Sequence, residues 1–73
     1  MLLAVKQDKL MQYRKSKKLS QYRLSVLAGL SGNAVYRMEN EKHKVSPLRA
    51  QAVCAVLQCS LEDIFEVAKE ETA

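Results

Sequence analysis

Helix stop and start signals cut this chain into short segments, and that punctuation limits what it can build. Ser20 stands as an N-cap before one periodic stretch, Gly29 closes it, and Ser31 opens the next. Ser46-Pro47 supplies another N-cap with proline at the first helical position, and Ser60 with Asp63 has the form of a capping box. Five short helices are predicted. The first runs from about Lys6 to Lys17, with Leu10, Tyr13 and Arg14 on one face. The second spans Gln21 to Ala28, with Leu24, Leu27 and Ala28 sharing a stripe, and the third Gly32 to about Glu39, with Val35 and Met38 inward. The fourth follows Pro47 and carries Ala50, Val53, Cys54 and Leu57 at helical spacing; the fifth repeats the stripe with Leu61, Ile64, Phe65 and Ala68. The tail from about Glu70 has no apolar anchor and is expected to fray.

Seventy-three residues allow one domain, and two glycines and one proline leave little material for long loops. The expectation is an all-α, compact five-helix bundle in a single domain over 1–73, its core about 6–69. No apolar run reaches the roughly 18 residues a membrane span needs, and Met1–Val5 is too short for a signal-peptide core. Cys54 and Cys59 match neither a zinc nor a CxxC redox spacing. They read as reduced, buried thiols acting as small hydrophobes in a cytoplasmic protein.

Charge is unevenly spread along the chain. Residues 1–18 hold six cations against Asp8 alone, and residues 19–49 hold five against Glu39 and Glu41. Residues 50–73 hold Lys69 against five acids. The first two-thirds thus suits a polyanion, and the last third suits a surface turned away from it. A solvated surface with segregated charge is the plainer reading.

The stretch from Leu19 to Glu39 decides between them. Two short helices joined through Gly29-Leu30-Ser31 must cross steeply, which projects the second from the body. Gln21, Leu24, Gly29, Ser31, Val35, Arg37 and Glu39 follow the pattern of the helix-turn-helix in phage Cro and repressor proteins, the XRE family, which this sequence resembles. The likeness extends through Asn40, Ser46-Pro47, Leu57 and Ser60–Phe65, about residues 10–65, with the helix-turn-helix about 20–39. There are departures. Ser25 replaces the family's usual alanine, although its hydroxyl can bond a carbonyl one turn back. Val26 and Leu27 stand where polar residues are common, Glu41 where glycine often follows the asparagine, and Gly32 where a base-contacting side chain often sits.

The resemblance implies that the third helix, about 32–39, enters the major groove of double-stranded DNA. Asn33 and Arg37, four apart, would share the outward face; Asn suits adenine and Arg suits guanine. A helix-start contact for Asn33 and a phosphate contact for Arg37 compete with base readout. Ala34 either touches a thymine methyl or packs. Backbone contacts would come from Gln21 at a helix N-terminus, from Ser31, Gly32, Tyr36 and Asn40, and from Lys42 and Lys44 in the loop around His43. Arg14 and Glu39 would pair across the first and third helices as a structural ion pair.

No nucleophile with its base, phosphate loop or metal-spaced cluster is present in the sequence, so neither an enzyme nor a cofactor is expected. The expected function is a sequence-specific transcriptional regulator, a repressor, in a bacterial or phage-like, nucleoid-associated setting. It would act as a homodimer through the C-terminal third, with the apolar N-terminal segment as an optional addition to the interface. Its regulation would come from concentration, self-association or a protein effector. The alternative is an antitoxin or anti-repressor module that chiefly binds another protein.

Overall fold

The structure, a computed structural model, describes residues 1–41 and 43–68. Strand β1 (Leu3–Val5) leads to helices α1 (Lys9–Ser16) and α2 (Gln21–Leu27). Helix α3 (Ala34–Tyr36) continues without a break into a π-helical turn, Arg37–Glu41. Helix α4 (Pro47–Leu57), the single turn of α5 (Leu61–Ile64) and strand β2 (Phe65–Val67) complete the order.

The caps explain these boundaries. Ser20 Oγ accepts the Arg23 N–H at 2.9 Å, and Ser46 Oγ faces the Arg49 N–H at 3.4 Å with Pro47 at the first helical position. Ser60 N–H donates to Asp63 Oδ2 at 2.9 Å. Three helices end in the same way, on a left-handed residue flanked by crossed backbone bonds. After α2, Gly29 (φ 76°) donates to Val26 O, and Leu30 donates to Ser25 O. After α1, Lys18 (φ 57°) bonds Lys15 O and Leu19 bonds Arg14 O; after α4, Gln58 (φ 57°) bonds Ala55 O and Cys59 bonds Cys54 O. These are Schellman closures, and only one has the glycine that tolerates the conformation without strain.

The core takes one stripe from each helix. Leu10, Leu24, Val35, Met38, Ala50, Val53, Cys54, Leu57, Ile64 and Phe65 are buried together, with Leu3 and Val45. Each fully buried leucine of this set contributes about 1.5–3 kcal/mol over its exposed state. Leu27, expected on the inner stripe of α2, is 48% exposed. Ser25 takes the inward place instead, with no exposed surface.

Two helix boundaries and the all-helical expectation are corrected by one feature. β1 and β2 pair antiparallel, with Leu3 opposite Val67, Ala4 opposite Glu66 and Val5 opposite Phe65. Leu3 also exchanges backbone bonds with Val45 at 2.7 and 2.8 Å on its other side. The fold is therefore helical with a small two-stranded sheet. Because Lys6 N–H is taken by Ile64 O at 2.7 Å, the first helix starts at Lys9 rather than Lys6. The fifth helix stops after one turn because Phe65 turns extended (φ −116°, ψ 156°) to join the sheet. Its apolar stripe is still honoured: Ile64 and Phe65 are buried, and Leu61 packs against the core. Leu3 thus finds its cover on its own chain, while Met1 and Leu2 remain exposed. The expected fraying beyond Glu70 lies outside the described residues.

Candidate nucleic-acid interface

The third helix starts two residues later than its sequence suggests. Ser31 Oγ bonds Asn33 Oδ1 at 3.1 Å instead of capping the helix backbone, and Asn33 takes the N-cap position without a side-chain cap bond. The Ser31 carbonyl behind the N–H of Val35, in the first turn, is taken by the Ala34 N–H at 3.0 Å. The Val35 N–H is received instead by Ser25 Oγ at 2.9 Å, while the same hydroxyl donates to Gln21 O at 2.8 Å. One buried serine therefore fixes the start of α3 against α2.

At the other end of this segment an ion-pair network sets its angle. Arg14 Nε donates to Glu39 Oε2 at 2.7 Å, Arg14 Nη2 to Glu39 Oε1 at 3.1 Å and Arg14 Nη1 to Leu19 O at 2.9 Å. The fork-to-fork geometry gives this pair direction as well as charge. Gln21 Nε2 donates to Glu39 Oε1 at 2.9 Å and to Asn40 Oδ1 at 3.1 Å. Successive residues Glu39 and Asn40 thus converge on one amide, an arrangement favoured by the widened π turn that carries both. Arg14, Gln21, Glu39 and Asn40 form one cluster tying α1, α2 and the π turn together. Gln21, expected as a phosphate contact, has its amide hydrogens engaged within the protein here.

Outward of this frame lie Asn33, Tyr36 and Arg37, all exposed, and Asn40 is itself exposed at the frame's edge. Arg37 N–H bonds Asn33 O at 3.0 Å, so the two residues stand one α-turn apart. Ser31 is exposed at the turn and Ala34 is half-buried, packed against the core. Lys44 is exposed in the following loop, next to His43, whose Nε2 lies 2.9 Å from Glu41 Oε1. Lys42 lies outside the described residues.

Sequence reasoning missed Tyr22. Its side chain is 66% exposed and its ring lies over Gly32, where a Cβ would come within 2.8 Å of it. The missing side chain at Gly32 accommodates this aromatic ring. The absent Cβ was the available signal, but sequence alone did not say which neighbour would fill the space.

The frame, the projecting segment and its polar outer face define a helix-turn-helix. Residues 10–64 match the family model described as Helix-turn-helix, well over half of the chain. The chain belongs to that family, in its XRE-type branch, and is a DNA-binding transcriptional regulator. Among solved structures it is similar to the restriction-modification controller protein C.AhdI from Aeromonas hydrophila, with a TM-score of 0.71 and 27% identity over 77% of this chain and 85% of that one. No curated protein matches it in sequence. Among the described residues, no helix is long and apolar enough to cross a membrane.

Proposed function

We propose that this protein is a cytoplasmic, sequence-specific regulator that reads the major groove with the segment from Asn33 to Asn40 and represses transcription by occupying its operator. The observation that carries this reading is the pairing of a locked frame with a polar outer face. Arg14–Glu39 and Ser25–Val35 hold the segment, while Asn33 and Arg37 stand one turn apart and free of the core. In this reading Asn33 and Arg37 contact base edges, with Ala34 near a thymine methyl. Ser31, the Gly32 backbone, Tyr36, Asn40, Lys42 and Lys44 hold phosphates, and Tyr22 joins them from α2. Gln21 positions Asn40 and Glu39, and its helix end meets a phosphate.

A homodimer on a near-palindromic site is part of the proposal, because a two-fold arrangement places two reading segments about 34 Å apart. Ile64 and Phe65 are spent on the core, so the dimer surface would be built from the sheet, where Leu2 and Val67 are exposed. Selection of bound sites from random duplex DNA tests the whole reading by reporting half-site sequence, spacing and symmetry together. Arg37→Ala should then relax one base pair per half-site, at a cost of about 1–3 kcal/mol, whereas Lys44→Ala should weaken all sequences alike. Equal loss on specific and random DNA would reduce Arg37 to a phosphate contact.

The antitoxin or anti-repressor reading draws support from α2, where Val26 and Leu27 are 45% and 48% exposed beside Tyr22. Failure to enrich any site, with the protein folded, would favour it.

A further inference from the structure

The corner between α4 and α5 brings two thiols together through backbone geometry. Gln58, in the left-handed conformation, closes α4, and the Cys59 N–H returns 3.1 Å to Cys54 O. In this closure the residue after the left-handed one is brought beside the residue that receives its bond, and the two side chains frequently meet. Here those side chains are both cysteines. Cys54 is buried within the core, its Sγ 3.7 Å from Ser60 O, and Cys59 is only partly covered. Nothing in the DNA-reading frame uses either thiol.

We propose that Cys54 and Cys59 form an intramolecular dithiol site that exchanges with small disulfides and closes into a Cys54–Cys59 disulfide. The Cys59 N–H to Cys54 O bond of 3.1 Å ties the two backbones directly together, and a disulfide needs such proximity of the two residues. The roles follow from exposure. Burial raises both thiols, Cys54 up to about 12. The Cys54 S–H and the Lys17 ammonium offset part of the rise at Cys59, while the Asp63 carboxylate adds to it, so the greater exposure of Cys59 decides which sulfur meets the disulfide first. Cys59 is therefore the attacking group. Its thiolate attacks one sulfur of a disulfide RSSR, forming Cys59–S–S–R and expelling RS⁻, which takes up a proton. Cys54 then loses its proton to solvent and attacks Cys59 Sγ, expelling the second RS⁻. The protein loses two hydrogens and the small disulfide is reduced to two thiols, so atoms and electrons balance. No oxidant beyond the disulfide is needed.

The test uses the intact, reduced chain with glutathione disulfide as the probe at mildly alkaline pH. No Lys or Arg lies between Arg49 and Lys69, so one tryptic peptide holds both cysteines and reports the state of the pair. The expected result is a peptide lighter by two hydrogens, carrying no glutathione and linked to no second chain. Cys54→Ala should instead hold one glutathione on Cys59, and Cys59→Ala, folded by circular dichroism, should take up none. A stable glutathione adduct on the unsubstituted chain, two thiols still free once Cys54→Ala has reacted, or cross-linked chains would each overturn the proposal. If Cys54→Ala fails to fold, the mass of the unsubstituted peptide, compared before and after exposure, decides alone.

Discussion

Ser25 carries two duties on one oxygen, donating to Gln21 O and accepting from Val35 N–H with no exposed surface. Its replacement by the smaller alanine, common in relatives by resemblance, strands a donor at the start of α3. Ser25→Ala should therefore lower stability by about 1–3 kcal/mol, read as a shift of the urea midpoint. An unchanged midpoint would mean that Val35 finds another acceptor. Arg14 and Glu39 behave as a unit because each is the other's principal partner, with side-chain exposures of 11% and 8%. Arg14→Met and Glu39→Gln should each cost about 3–5 kcal/mol, and the double variant less than their sum, since neither charge is then stranded. Strict additivity in a denaturation cycle would show the two to be uncoupled. Cys54 gives a pH dependence with a definite sign. Its thiol ionises near 9.0 in the unfolded chain, and burial pushes it up to about 12 when folded. The associated stability is present below pH 9.0 and is lost as pH rises toward 12, because only the unfolded state then releases the proton. Alkaline titration of unfolding should show a flatter fall for Cys54→Ala than for the unsubstituted protein.

At the scale of elements, the helix closures carry a correctable strain. Lys18 and Gln58 adopt φ 57°, a region that costs an L residue about 1 kcal/mol or more and glycine little. Gln58→Gly should be neutral to stabilising by up to about 1 kcal/mol in equilibrium unfolding, whereas Gly29→Ala should destabilise by a similar amount. A clear loss for Gln58→Gly would show that its side chain, which accepts from Lys17 Nζ at 3.2 Å, outweighs the backbone strain. These closures also show what was legible. Gly29, Ser20, Ser46-Pro47 and the Ser60–Asp63 pair mark helix ends in the letters themselves, because each acts through local backbone chemistry. Lys18 and Gln58 end helices equally well but look like ordinary surface residues. The strands were illegible for a related reason. Three residues are too few to show alternation, and Leu3 and Val67 declare their pairing only across most of the chain's length. The candidate interface was legible in Asn33 and Arg37, which need only helical spacing. Gln21 was read without its partners, because its bonds to Glu39 and Asn40 depend on how α2 meets the π turn.

For the whole molecule, charge and architecture share one direction. The basic first two-thirds contains the segment proposed to read DNA and its flanking loop, while the last third contributes Glu62, Asp63 and Glu66 around α5 and β2. Phosphate neutralisation makes binding salt-dependent, with a slope of about 0.9 per contact. Lys44→Ala should lessen the slope of log affinity against log salt by about one contact, and Glu66→Gln should leave it unaltered. A gain in affinity with a steeper slope from the Glu66 change would place DNA across the sheet.

The β1–β2 pairing also has a temporal meaning for a chain made from its N-terminus onward. Leu3 leaves the ribosome long before Val67, its partner in the sheet, so β1 must wait while the more than sixty residues between them are made. The segment from Ser20 to Asn40 needs only near neighbours for most of its bonds, and loop closure over so few residues is entropically cheap. The helix-turn-helix is thus free to take shape while the sheet is still open, and β2, emerging later, acts as a clasp on a body already formed.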